Sequence, residues 1–81
     1  MIIRSQDKRK TTTDLNLHIK KWNPEKKERI DIFNEKGCLL GTYSTEEKAI
    51  KVLDMICDAC KNTAFIDEQA VVFYMPQDSE V

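Results

Sequence analysis

The sequence predicts an α+β domain: a mainly antiparallel sheet in the order β-β-β-β-α-β, with one helix packed on one face. Three observations predict it. Two runs, LNLHIKKW (15–22) and ERIDIF (28–33), alternate apolar and polar residues with the period of two of a half-buried strand. One segment, about residues 45–61, repeats its apolar residues every three to four positions behind a polar cap. The chain has 81 residues, enough for a single domain with a small and therefore marginal core.

The elements follow in order. MIIRS opens as a short strand, with the β-branched Ile2 and Ile3 on opposite faces. QDKRKTTTD is polar and turn-like. In LNLHIKKW, Leu15, Leu17 and Ile19 share one face, and Asn16, His18, Lys20 and Trp22 the other. NPEKK breaks the strand, because Pro24 has no N–H to give a ladder. ERIDIF follows with Ile30 and Ile32 inward, and NEKG is a hairpin connection in which Gly37 takes the left-handed conformation. CLLGTY returns, the helix follows, NTAFIDEQ connects, and AVVFYM is the last strand, closed by Pro76. Residues 1–76 form the domain, and QDSEV (77–81) is expected to be a mobile tail. Simple alternation of direction makes the first and last strands antiparallel.

Within the helix, Ala49, Val52, Leu53, Ile56 and Cys60 form a stripe that Ile50 and Cys57 widen on one side and Met55 and Ala59 on the other. The arc is about twice the ~100° that packing on a sheet requires. The sheet face away from the helix carries Trp22 and Phe33, with either Phe73 or Val72 and Tyr74 by register. An apolar surface of that size implies a cover, for which a second copy of the chain is the simplest candidate. The expected oligomer interface is Phe33, Ile50, Met55, Phe73 and Tyr74.

Several chemistries are disfavoured. The helix start has Ser44 as expected N-cap and Glu47 three residues on, a capping box whose carboxylates occupy the field a phosphate would need. Cys57 and Cys60 form a C-x-x-C at the helix end, where the dipole disfavours a thiolate. With three cysteines, an odd number, in a chain read as cytoplasmic, no disulfide framework is expected. A small zinc-binding structural protein using His18, Cys38, Cys57 and Cys60 is numerically possible, but His18 falls on the strand face away from the helix, so no metal or cofactor is assigned. His18 stands among lysines with no nucleophile beside it, so no catalytic residue is assigned and an enzyme is not expected. No apolar run reaches the ~20 residues of a membrane span, and the N-terminus lacks the apolar stretch of a signal peptide.

Charge is asymmetric. Residues 1–40 hold ten Lys/Arg against six Asp/Glu, a balance of +4; residues 41–81 hold three against eight, a balance of −5. The richest cluster is His18, Lys20, Trp22 and Arg29, with Lys21, Lys26 and Lys27 nearby. A ring flanked by cations suits a nucleobase with its phosphates or an acidic protein, and these four residues are the expected binding site.

Three pieces, MIIRSQDK, LGTYSTEEKAIKVLDMI and VFYMP, resemble a group of short, largely uncharacterised proteins of Gram-positive bacteria, their phages and prophages. The shared pieces are scaffold, and residues 11–35 look like the variable part. The resemblance implies a fold and a mobile-element setting, and transfers no site residue. In that setting, inside the host cytoplasm, small proteins counter host defence by binding a host protein or sequestering a nucleotide signal. The expected function is accordingly a non-enzymatic, homo-oligomeric binding protein. A nucleic-acid-binding protein using the basic half is the main alternative.

Overall fold

The strands divide into two three-stranded sheets. In the computed structural model, which describes residues 1–22, 28–62 and 71–81, β1 (Ile2–Arg4) lies between β2 (Thr11–Thr12) and β6 (Val72–Tyr74). The second sheet orders β3 (His18–Trp22), β4 (Arg29–Phe33) and β5 (Leu39–Tyr43) with β4 central. One helix, α1 (Glu46–Asn62), follows β5, and a 3-10 turn, Asp78–Glu80, follows β6. The α+β class, a helix packed on the sheet and the mainly antiparallel pairing are as the sequence predicts.

The exception is the pairing of β1 with β6, which is parallel: Ile2 faces Val72, Ile3 faces Phe73 and Arg4 faces Tyr74. The expected antiparallel relation fails because β2 adds a reversal of direction. Two threonines are too few to show a period, so the returning strand is hidden in what reads as a polar turn. β1 and β2 are joined through residues 5–10, where Ser5 Oγ and Asp7 hold the backbone amides of Lys10 and Arg9, and Lys8 takes φ 65°. Downstream, β3 begins only at His18, which leaves Leu15 exposed. The Asn34–Gly37 turn forms as expected, with Gly37 at φ +84° and its N–H on the Asn34 carbonyl.

The core lies between α1 and the β3–β4–β5 sheet and extends to β1. Ile3, Ile30, Ile32, Ala49 and Val52 are fully buried, with Leu40, Tyr43, Ile56 and Met75 nearly so. Each large side chain among these contributes about 1.5–3 kcal/mol of transfer free energy. Leu17, Ile19, Leu53, Cys60 and Phe73 pack on its margin. Of the residues that widen the helix stripe, Ile50, Met55 and Cys57 are exposed.

Gln6 joins the two sheets. Its backbone N–H donates to Leu40 O at 2.7 Å. Its side-chain amide accepts the Thr42 N–H at 2.9 Å and donates to Thr42 O at 3.2 Å and Pro76 O at 3.1 Å. One glutamine thereby pairs with the free edge of β5 as a strand residue would.

Two expectations about the helix start and the tail are corrected. The side chain that caps α1 is Thr45, whose Oγ1 accepts the Lys48 N–H at 3.2 Å. Ser44 stands one residue too early, and Glu47 is not at the position a capping box needs. The residues expected to be a mobile tail are tied down. The Asp78 carboxylate accepts the Ser44 N–H at 2.8 Å and its hydroxyl at 3.1 Å, and pairs with Lys48 at 3.5 Å. Those donors hold its carboxyl below the ordinary range. Gln77 Nε2 donates to Gln6 O at 2.8 Å, and Val81 packs at the edge of the core. Buried Tyr43 donates its hydroxyl to Pro76 O at 2.7 Å; burial, then Asp78 and Glu80, push that phenol upward.

Candidate functional site

The pairing of β3 with β4 sets His18 opposite Phe33, Lys20 opposite Asp31 and Trp22 opposite Arg29. Because side chains alternate along a strand, these six lie on one face, opposite the Ile30 and Ile32 that enter the core. The four residues expected as a binding site, His18, Lys20, Trp22 and Arg29, thus share a surface.

Asp31 organises that surface. Its residue is 2% exposed, in the middle of the central strand. A buried carboxylate without partners is strongly disfavoured, and this one has three donors. Trp22 Nε1 donates to Oδ2 at 2.9 Å, Arg29 Nε to Oδ1 at 3.1 Å, and Thr42 Oγ1 to Oδ1 at 2.9 Å. Trp22 nevertheless remains 43% exposed. Lys20 Nζ stands 4.1 Å from the centroid of its ring, a cation–π contact. The Arg29 guanidinium is held through Nε alone. Its two Nη atoms donate no hydrogen bond among the described residues, and its side chain is 54% exposed. At the other end of the face His18 and Phe33 stack at 6.1 Å and 24°.

This arrangement fixes a tryptophan and an arginine while leaving their binding surfaces toward solvent. The exposed ring offers apolar and π contact. The outer edge of the guanidinium offers a planar fork for a carboxylate or phosphate. Lys21 points elsewhere and pairs with Glu28 at 3.4 Å and Glu46 at 3.7 Å. Lys26 and Lys27, expected nearby, and Pro24 lie outside the described residues, as does the connection after α1 beyond Asn62. No protein-family model, curated protein or solved structure matches the chain.

The residues expected at an oligomer interface differ in exposure. Tyr74 is 61% exposed, Ile50 46% and Met55 39%. Phe33 is half-buried against His18, and Phe73 turns inward, which leaves its neighbours Val72 and Tyr74 outside. The zinc alternative lacks a gathered ligand set: among the described residues no three of His, Cys, Asp or Glu come together to hold a metal. No helix among those residues is long and apolar enough to cross a membrane.

A half-open groove of about 200 Å³ lies where Gln6 meets β5, with Leu39, Leu40, Gly41 and Thr42 along it and Asp7 and Lys10 at its rim. It touches the Trp22 face only through Thr42.

Sequence reasoning missed Asp31 and Thr42. The available signal was an acidic residue between two core isoleucines, on the same strand face as Arg29 and within reach of a strand carrying Lys20 and Trp22.

Proposed function

We propose that the chain is a non-enzymatic binding protein whose recognition surface is the Trp22–Arg29 face. The observation that carries this reading is the buried carboxylate of Asp31, which directs two of its three hydrogen bonds to side chains that stay exposed. These bonds satisfy the buried charge and at the same time hold the indole and guanidinium in place with their outer surfaces exposed. Binding gains a preorganised pair of the residue types that dominate interface energetics.

The resemblance to short proteins of Gram-positive bacteria and phages supports a mobile-element setting. The proposed role there is to occupy a host component, a protein or a nucleotide signal, within the host cytoplasm. Exposed Ile50, Met55, Val72 and Tyr74 support self-association as a second part of the reading. Light scattering on the eluting protein tests it, and a monomer at micromolar concentration removes that part.

The test of the face is retention of a ligand. Tagged chain and its Trp22→Ala variant are expressed in a Gram-positive host, captured, and their bound molecules identified by mass spectrometry. The expected result is a component retained by the native chain and lost from the variant. Equal recovery from both overturns the reading.

A further inference from the structure

We infer that the Trp22 face takes a segment of a partner protein that carries an Asp or Glu beside an apolar side chain. The inference rests on the recognition face proposed above and names the chemistry of its partner. The carboxylate would sit on the free Nη pair of Arg29, and the apolar side chain on the indole of Trp22 beside Lys20.

Shape argues first. Small ligands are usually held in concavities that bury most of their surface. The Trp22 face is the side of the β3–β4–β5 sheet away from Ile30 and Ile32, and the groove lined by described residues lies at the Gln6–β5 junction. An open face with a fixed tryptophan and arginine fits the centre of a protein contact.

Charge argues second and sets this partner apart from a nucleic acid. Among the described residues, the cations in and beside the face are Lys20, Lys21 and Arg29, and the acids are Glu28, Asp31 and Glu46. Among these described residues the charges balance, and Lys21 is already engaged by two carboxylates. A polyanion gains affinity by neutralising many phosphates, and for that the described part of the face offers only Lys20 and Arg29. A single carboxylate needs only one planar fork with free donors. Arg29 supplies it, because Asp31 uses Nε and leaves both Nη atoms. No carboxylate among the described residues pairs with Lys20, which adds a second cation alongside.

The chain has one tryptophan, so its emission reports directly from the site. Three probes are titrated: an acetylated heptapeptide alternating leucine and glutamate, the same peptide with lysine for glutamate, and a twelve-nucleotide thymidine oligomer. The glutamate peptide is expected to change Trp22 emission saturably, and the other two to leave it unchanged. Arg29→Lys keeps the charge and removes the fork, and is expected to weaken the peptide about tenfold. Lys20→Ala leaves all three Asp31 donors in place and is expected to weaken it about threefold. Near-ultraviolet circular dichroism checks that each variant is folded. Tighter binding of the oligomer, or peptide binding indifferent to Arg29→Lys in a folded variant, overturns the partner class while keeping the face. No response to any probe overturns both.

Discussion

The indole N–H of Trp22 donates to the buried carboxylate of Asp31 at 2.9 Å, so the only tryptophan of the chain is positioned from the adjacent strand. The same carboxylate serves Arg29 and Thr42, which makes Asp31 the element on which the recognition face depends. Asp31→Asn keeps the shape but removes the charge opposite Arg29 and some of the acceptor capacity. The expected loss of stability is about 1–3 kcal/mol, read from urea unfolding. The tryptophan emission of the folded variant should also move toward that of a solvated indole. An unchanged midpoint together with unchanged emission would show that Asp31 does not hold the face.

Gln6 is the second position with an outsized role. Its side chain satisfies both backbone groups of Thr42 and also the Pro76 carbonyl. Gln6→Ala leaves both backbone groups of Thr42 without those partners, while the Pro76 carbonyl keeps the Tyr43 hydroxyl, and each buried unsatisfied group costs about 1–3 kcal/mol unless water reaches it. In a domain of this size a loss of 1 kcal/mol lowers the melting temperature by about 4–8 °C. Gln6→Glu should be worse than alanine, since it sets a carboxylate against two carbonyl oxygens. A thermal melt ranking native above alanine above glutamate supports this account, and the reverse order of the two variants contradicts it.

The helix cap separates Thr45 from Ser44. Thr45→Ala removes the acceptor of the Lys48 N–H and is expected to destabilise by about 1 kcal/mol. Ser44→Ala loses only a hydroxyl that donates to Asp78, because the backbone N–H still reaches that carboxylate, so its cost should be the smaller one. Chemical denaturation of the two variants decides between them.

Asp78 should give the fold an acid-sensitive component. The Ser44 N–H first, with the Ser44 hydroxyl and Lys48, holds its carboxyl below the ordinary value in the folded protein. The stabilisation is therefore complete above about pH 4, where the unfolded chain also ionises. It is lost as pH falls through the lower folded value. Asp78→Asn should be less stable than the native chain at neutral pH, with the two curves converging in acid. Asp7 is also held low, by Ser5 Oγ and the Arg9 N–H, so both proteins should still lose stability there. Parallel curves down to pH 2 would rule out the Asp78 contribution.

β3, β4 and α1 were legible because each has one apolar face, and period alone identifies such elements. Lys20 and Trp22 could be set on one surface for the same reason, as could Ile30 and Ile32 in the core. Asp31 was not legible as a buried group. A charged residue in a strand ordinarily reads as solvated, and its burial depends on Trp22 reaching across from β3 and Thr42 from β5. Those relations belong to register, which a single strand does not encode. Gln6 was hidden by distance, since its partner Thr42 is 36 positions away. The direction of β6 turned on two threonines. The tail reads as polar and short, and nothing local shows that Asp78 meets the start of α1.

The parallel ladder between residues 2–4 and residues 72–74 also bears on how the molecule comes into being. Ribosomal synthesis proceeds from the N-terminus, so β1 emerges well before its partner on one side, residues 72–74. Until about residue 75 has left the exit tunnel, Ile3 has only a two-residue strand beside it and no lasting shelter from water. Closing so long a span demands entropy that only the completed core returns. A nascent chain halted before that point should therefore remain protease-sensitive in residues 1–12, while the β3–β4–β5 meander, built from neighbours in sequence, is the part able to form early.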